Sequence, residues 1–498
     1  MGMAIATTYA PVRPEAPALP GPAPGAASLA RLWSLSLGWL ASRRVAWWYG
    51  GFAIYAAGVA VFSGLGDDRS WGIWASFGYA AAAVVAVAWP SRRGQAAALV
   101  AALAGALAGP LSWLALTAPA TPDVAVVARS GALLGSHATP YLSAAQLAHG
   151  GWLAYNPYLP VMALFGLPHA AGLPGLAGDP RPWLAVATLA ILAVAFYITT
   201  PARWPARQRR AVAGGAALLA LMSPVMAFPL AVGITDPPVL ALIILTLALL
   251  SRPASARWPG WPATIALAVA CAMKYTAWPA LVVLTALAVA RHGTRAAARF
   301  AAGTAAAAVV LAVAVAPGVL AHPGAALANT IGYPLGLTHA SSPAQSPLPG
   351  HLLATLGSAG HLAALVLLII AGLGLAGSLV LRPPAGARAA AGRLALGLAL
   401  MFALSPDTRF GYFVYPIGLC GWIALSRPDI AAFLTGIRDK APTGRPDHMA
   451  PPSSSAIAGG ARSWPRGDVA APLPVGSAAK ARQGNGSPAR CLGRACQQ

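Results

Sequence analysis

Asp67, Asp68, Arg69, Asp123, Arg129, Asp179, Arg181, Asp236, Lys274, Asp407 and Arg409 stand in or beside long apolar stretches of a chain in which only 9% of 498 residues are charged. Ionisable groups at membrane depth are costly and are therefore functional candidates by default. Carboxylates and isolated cations gathered in one groove could hold an anionic lipid head group on the cations and do acid/base chemistry beside it. Lys274 stands out, because the other two lysines, Lys440 and Lys480, lie in the polar C-terminal segment. It interrupts an apolar stretch at its midpoint instead of flanking it, which favours a role in binding over simple snorkelling to the interface.

Asp123 lies in Ala118-Pro119-Ala120-Thr121-Pro122-Asp123-Val124, directly after an apolar span and at the start of an amphipathic stretch running to Leu134. Thr121 as N-cap, Pro122 at the first helical position and Asp123 in the first turn make a good helix start. A partly desolvated carboxylate at a membrane boundary also suits a general base acting on a hydroxyl, and one side chain can serve both roles. Asp236 in Thr235-Asp236-Pro237-Pro238 and Asp407 in Ser405-Pro406-Asp407 repeat the pattern, so Asp236 reads either as a cap or as a substrate contact, and Asp407 as a cap, a second carboxylate or the group that orients Arg409. Asp67 and Asp68 read as solvated turn residues. His137, His149, His169, His339 and His351 show no metal-ligand spacing, so neither a metal nor a cofactor is expected; His137 and His149 read as acceptor contacts. Tyr155, Tyr158, Trp152 and Tyr333 could stack on sugar faces or anchor at the interface. Cys271 and Cys420 read as small core residues, and no disulfide framework follows from the spacing of the four cysteines.

The elements that must position these groups are membrane helices. A soluble protein carries about 25% charged residues, so a composition 58% hydrophobic with mean hydropathy +0.66 excludes a large soluble fold. Spans of about 20 apolar residues are needed to cross a bilayer. Stretches of that kind lie at 45–64, 71–89, 96–117, 183–199, 212–231, 300–319 and 361–381, with a shorter one at 238–251. Two more, 261–290 and 394–426, are interrupted by Met273-Lys274-Tyr275-Thr276 and Ser405-Pro406-Asp407-Thr408-Arg409. Arginine-rich loops stay in the cytoplasm, and the clusters at Arg43, Arg92, Arg203–Arg210, Arg252, Arg291–Arg299, Arg382–Arg393 and Arg427 fall on one side only if each interrupted stretch leaves the cytoplasm and returns.

The expected fold is therefore an all-α integral membrane protein of about twelve full or partial spans, with both termini inside and its outer-face loops forming a groove. A disordered tail is expected at 1–30, N-terminal membrane helices at 31–117, a membrane core at 118–426 and a disordered basic tail at 427–498. The residues at 1–30 do not form a signal peptide. The formal net charge of +22 would suggest a nucleic-acid partner, but on this topology the outer segments are near neutral and the excess is cytoplasmic, so no nucleic acid is expected. With only 3 lysines and 1 glutamate among many Ala, Gly, Pro and Arg residues, the composition reads as the coding bias of a GC-rich bacterial genome.

An acidic residue after a membrane helix is followed by Gly131-Ala132-Leu133-Leu134-Gly135-Ser136-His137-Ala138-Thr139-Pro140-Tyr141 and then by Tyr155-Asn156-Pro157-Tyr158-Leu159-Pro160. Lys274-Tyr275-Thr276-Ala277-Trp278-Pro279 breaks a later helix, and Ser405-Pro406 breaks another near the end. In this order the features resemble glycosyltransferase family 87 of the C-type superfamily, which includes polyprenyl-phosphate-mannose-dependent mannosyltransferases of actinobacteria, through most of 118–426. The resemblance implies an inverting hexosyltransferase of the cell membrane, using a polyprenyl-phosphate sugar and a lipid-linked or glycan acceptor. It implies Asp123 as the base that deprotonates the acceptor, Lys274 and Arg409 as the cations that meet the donor phosphate, and Asp407, Asp236, Tyr155, Asn156, Tyr158 and His137 as substrate contacts. A polytopic transporter or lipid flippase also uses broken helices and buried charges; inverted repeats would favour it, and none is found.

Overall fold

Prolines set where the helices of this chain begin. The computed structural model describes residues 44–118, 120–252, 260–334, 337–340 and 343–427; the tails expected at 1–30 and beyond 427 lie outside the described residues. All of these belong to one compact unit. Among the described residues there is no named strand, only a parallel bridge between Gln345 and Thr408.

In chain order the main helices are α1 (Arg44–Phe62), α2 (Gly66–Ala88), α3 (Arg92–Thr117), α4 (Pro122–His137), α5 (Pro180–Thr199), α6 (Ala206–Met222), α7 (Pro224–Val232), α8 (Asp236–Leu250), α9 (Trp261–Met273), α10 (Trp278–His292), α11 (Thr294–Val315), α12 (Ser358–Leu381), α13 (Ala387–Leu404) and α14 (Val414–Leu425). Proline occupies one of the first two positions of α4, α5, α7, α8, α9 and α10, where its missing N–H costs no hydrogen bond. Among the described residues, seven helices are long and apolar enough to cross a membrane: α1, α2, α3, α5, α11, α12 and α13.

Each of the twelve stretches expected to span fully or partly carries a helix, but many of those helices are short. The stretch 212–231 is not one straight span. It breaks at Ser223, where α6 and α7 meet at 71°, because Pro224 cannot donate to the preceding turn and pushes Ser223 into an extended conformation. Counted as one bent span, this pair brings the number of crossing candidates among the described residues to eight.

Helix direction sorts the charges. The C-terminal ends of α3, α7, α9 and α13 and the N-terminal ends of α4, α8, α10 and α14 gather at one end of the bundle, around Asp123, Ile234, Lys274 and Arg409. The arginines at 92, 93, 207, 209, 210, 252, 291 and 388 sit at the opposite ends of the same helices or of their direct continuations. The two sequence breaks at Lys274 and Ser405 therefore lie on the face away from the arginine clusters, as the charge pattern requires.

Helix α4 lies across that end of the bundle instead of running through it. At its start Thr121 Oγ1 donates to Val232 O at the end of α7 (3.0 Å), and just past its end Ala138 O accepts from Gly318 N–H, beyond α11 (2.9 Å). It extends past Gly135 to His137 and closes on Ala138 in a left-handed conformation. Its middle packs backbone to backbone: a Cβ on Gly131 would stand 2.2 Å from the carbonyl carbon of Gly166. Only glycine allows that approach.

Candidate active site

Segments from across the chain converge on one cavity at this end of the bundle. It is lined by Asp123 from the first turn of α4, Tyr155 and Tyr158 from the following loop, Asp236 at the start of α8, Lys274 in the break between α9 and α10, and Asp407, Arg409 and Tyr412 from the break after α13. Residues spread over nearly 290 positions of sequence thus meet where helix ends leave backbone and polar side chains free.

Lys274 takes an extended conformation (φ −156°, ψ 138°) that ends α9. Its ammonium donates to Asp236 Oδ1 at 2.6 Å and to Thr235 Oγ1 at 3.3 Å, and both charged side chains are buried. Aromatic rings flank it, with Nζ 5.3 Å from the Tyr158 centroid and 5.6 Å from that of Tyr412, close enough for cation–π attraction. An ammonium has three donors. Two are engaged, and among the described residues none accepts the third.

Asp236 lines the cavity. It is the counter-ion of Lys274, and Thr235, although it stands at the N-cap position of α8, makes no capping bond with its side chain. Thr121 does cap α4, accepting from Val124 N–H at 3.5 Å. Asp123 is half-buried beside it, and its Oδ1 accepts from the Tyr158 phenol at 2.5 Å. Burial and then the neighbouring Asp123 carboxylate push the Tyr158 pKa well above the ordinary tyrosine value, so the phenol stays a donor.

Arg409 lies in the break between α13 and the 3-10 turn Phe410–Phe413. Burial works against its charge, but Asp123 and the phenols of Tyr412, Tyr158 and Tyr333 more than offset this, so its pKa is raised above the ordinary arginine value. Its guanidinium has no carboxylate partner within ion-pair distance among the described residues. Asp407, exposed at the cavity edge, is not paired with it and does not start a helix: residues 405–409 form a turn held by the 344–346 strand-like segment, with Thr408 N–H donating to Ala344 O (2.8 Å) and Ser346 N–H to Thr408 O (2.9 Å).

Asn156 does not line the cavity. It is buried behind it, donating through Nδ2 to Ser130 Oγ (2.9 Å) and Pro140 O (3.3 Å) and accepting from Tyr158 N–H on Oδ1 (2.9 Å), while its own N–H donates to Asn329 Oδ1 (2.7 Å). It shapes the turn that presents Tyr155 and Tyr158. Tyr155 stacks on Tyr333 with centroids 4.8 Å apart and planes 10° apart, and its hydroxyl lies 3.4 Å from His339 Nδ1. That face of Tyr155 is thus covered by protein. His137 is exposed at the far end of α4, with Nδ1 2.6 Å from Ser136 Oγ; fourteen residues of helix, about 21 Å at 1.5 Å each, separate it from Asp123. Neither it nor the exposed His149 reaches the cavity lining. Among the described residues no cluster of His, Cys, Asp or Glu could hold a metal ion.

Sequence reasoning passed over Tyr412, Tyr275 and Thr235. Tyr412 carried a signal, three positions past Arg409 in a break already marked as functional; Thr235 had only the look of a cap.

The model of glycosyltransferase family 87 matches residues 156–406, just over half of the chain. The chain belongs to glycosyltransferase family 87. No curated protein and no solved structure matches it. The match begins at Asn156, so this family 87 segment takes in Asn156, Tyr158, Asp236, Lys274 and the Ser405-Pro406 break. It is narrower than the resemblance read from the motifs: Asp123 lies upstream of it, Asp407 and Arg409 just beyond. Family membership makes the protein a membrane glycosyltransferase acting on a sugar donor and an acceptor.

Proposed function

We propose that this family 87 enzyme transfers a hexose, mannose, from a polyprenyl-phosphate donor to a lipid-linked or glycan acceptor at the outer face of the cytoplasmic membrane, inverting the anomeric centre, with Asp123 as general base. The observation that supports the reading is that Asp123, Lys274 and Arg409 line one cavity at the end of the bundle remote from the arginine clusters. Arginine-rich ends favour the cytoplasmic side, which supports the reading of an outward-facing cavity, where nucleotide sugars are absent and lipid-linked donors are the available class.

The charges support a phosphodiester donor. Lys274 is balanced by Asp236, leaving Arg409 as the cation that a donor phosphate can meet and Asp123 and the exposed Asp407 as the remaining carboxylates. A sugar phosphodiester carries one negative charge, which Arg409 matches, with Lys274 adding a hydrogen bond. In the reaction the acceptor O–H gives its proton to the free Oδ2 of Asp123, the oxygen bonds to the anomeric carbon, and the bond from that carbon to the phosphate oxygen breaks with its electron pair. Asp123 becomes neutral as the phosphate gains its second charge, so negative charge moves towards the two cations and the total is unchanged. Donors aimed at the atom where charge develops are the largest single source of stabilisation in such steps.

The aromatic residues at the cavity, Tyr158, Tyr412 and Trp152, together with Tyr155 and Asp407 at its wall, are assigned to substrate contact in this reading. The test is sugar transfer by membranes carrying wild-type or Asp123→Asn protein, supplied in parallel with labelled polyprenyl-phosphate mannose and polyprenyl-phosphate arabinose. Transfer of mannose that falls at least about a hundredfold in the variant, the scale of general-base catalysis, is the expected result. Undiminished transfer by Asp123→Asn would remove it as the base, and arabinose transfer in place of mannose would replace the donor.

A further inference from the structure

We propose that Ser346 is a positioning residue that clamps the backbone on both sides of Arg409 and so aims its guanidinium into the cavity; this rests on the reading of Arg409 as the cation that meets the donor phosphate. Ser346 N–H donates to Thr408 O (2.9 Å), and Phe410 N–H donates to Ser346 Oγ (3.1 Å). One residue thus grips the chain immediately before and immediately after Arg409, once with its backbone and once with its side chain.

The local backbone explains why a hydroxyl is needed there. Gln345 and Thr408 form a parallel bridge, in which Thr408 N–H also donates to Ala344 O (2.8 Å). In a parallel ladder the next rung would run from Phe410 N–H to the carbonyl of Ser346. That carbonyl is already taken by Leu348 N–H (2.7 Å), and Pro347, which has no N–H to give, ends the pairing. The serine hydroxyl takes the rung over. Further along the same segment, His351 Nδ1 lies 2.9 Å from Pro406 O, so the break that carries Arg409 is held from a second point.

The clamp decides where Arg409 points. Thr408 is buried, and its Oγ1 donates to Phe402 O (2.7 Å) near the end of α13. Arg409 is extended (φ −130°, ψ 142°), and successive side chains of extended backbone face opposite ways. Anchoring Thr408 against α13 therefore turns Arg409 to the cavity that it lines. Its carbonyl then accepts from Tyr412 N–H (3.1 Å), in the turn that brings Tyr412 to the same wall. A long side chain loses rotamer freedom when it is aimed, and donors assist a developing charge best where they are aimed before the reaction. Arg409 has no ion-pair partner among the described residues to hold it, so the backbone on either side supplies the aim.

The experiment is steady-state sugar transfer by the full-length protein in membranes, with whichever of labelled polyprenyl-phosphate mannose and polyprenyl-phosphate arabinose the wild type uses. The variants are Ser346→Ala, Ser346→Thr, Arg409→Met and the double variant Ser346→Ala/Arg409→Met. Ser346→Ala leaves Phe410 N–H without its acceptor and should lower kcat/KM about three- to tenfold, the scale of one hydrogen bond. The loss should fall on the same constant, kcat or KM, as that of Arg409→Met. Ser346→Thr, which keeps the hydroxyl, should retain the rate. In the Arg409→Met background Ser346→Ala should cost nothing further, because a residue that acts through Arg409 then has nothing to aim. Loss by an equal factor in both backgrounds, loss on the other constant, or a wild-type rate in Ser346→Ala overturns the clamp. Amide hydrogen exchange of the full-length protein in detergent gives a reading independent of turnover: exchange at Phe410 should quicken in Ser346→Ala and stay slow in Ser346→Thr, and equal exchange in the two overturns the clamp. Should Ser346→Ala fail to accumulate, Ser346→Cys, with a weaker acceptor, takes its place with the same outcomes. An Arg409→Met protein with undiminished transfer brings down the phosphate reading of Arg409 itself, whereas an impaired Arg409→Met whose loss multiplies with that of Ser346→Ala brings down only the clamp.

Discussion

Lys274 Nζ stands 2.6 Å from Asp236 Oδ1, with the lysine 5% and the aspartate 1% exposed. Burying two charges costs several kcal/mol per ion before their attraction repays it, so the pair is better explained by the chemistry it holds ready than by stability. Removing one partner strands the other: Lys274→Met or Asp236→Asn alone should each cost about 3–5 kcal/mol, read as a lowered thermal unfolding midpoint in detergent. The double variant Lys274→Met/Asp236→Leu should regain most of that stability and none of the transfer activity. A double variant no more stable than the singles would show that the pair is not an isolated electrostatic unit.

Arg409 is the cavity cation with no ion-pair partner among the described residues, and its loss should fall on the chemical step. Arg409→Met should lower kcat about 10²–10³-fold, the usual cost of removing one donor to developing charge. Arg409→Lys should retain part of the rate, because it keeps the charge and loses the planar fork. Steady-state kinetics with varied lipid donor would check this; a Met variant with raised KM and unchanged kcat would assign Arg409 to ground-state binding alone.

Much of the fold was legible because membrane helices declare themselves by apolar length, and their breaks by what interrupts them. Lys274 and Ser405-Pro406 mark places where the helices do break, at Met273 and at Leu404. Ser223-Pro224 offered a comparable signal inside 212–231 and was read through, because a proline in an apolar run shows a break only when the bend is seen. The site was legible as a set of residues more than as a set of roles. Asp123, Asp236, Lys274, Asp407 and Arg409 do line one cavity, yet the partnership of Lys274 with Asp236 spans 38 positions and depends on how α8 packs beside α9. His137 shows the opposite error: its nearness to Asp123 in sequence becomes separation when the intervening residues are helical. Asn156 has the composition of a substrate contact and the position of a scaffold, a distinction that only burial makes.

Asn156 should therefore behave as a structural residue. Asn156→Ala leaves Tyr158 N–H without its acceptor and Pro140 O and Ser130 Oγ without a donor, at a cost of about 1–3 kcal/mol. Asn156→Asp keeps an acceptor for Tyr158 but loses both donors and buries a charge, so it should be at least as damaging. Thermal unfolding measured beside donor KM separates the cases. An Asn156→Ala protein of wild-type stability with a raised KM would make it a substrate contact after all.

The close approach of α4 to the 160–166 segment gives a test with its own control. A methyl on Gly131 would lie 2.2 Å from the Gly166 carbonyl carbon and 2.4 Å from its oxygen, and backbone on both sides must move to admit it. Gly131→Ala should therefore destabilise by about 1–3 kcal/mol, the usual cost of overpacking, and should lower transfer, because α4 carries Asp123. Gly135 lies one turn further along the same helix with nothing within 4 Å of its would-be methyl, so Gly135→Ala should instead stabilise by about 0.5–1 kcal/mol through the lost freedom of the unfolded chain. Residues four apart share a helix face, so opposite signs at these two glycines are the signature of a contact confined to one turn of that face of α4. Equal effects would mean that helix propensity alone governs both, and that the packing of α4 against Gly166 does not set the position of Asp123.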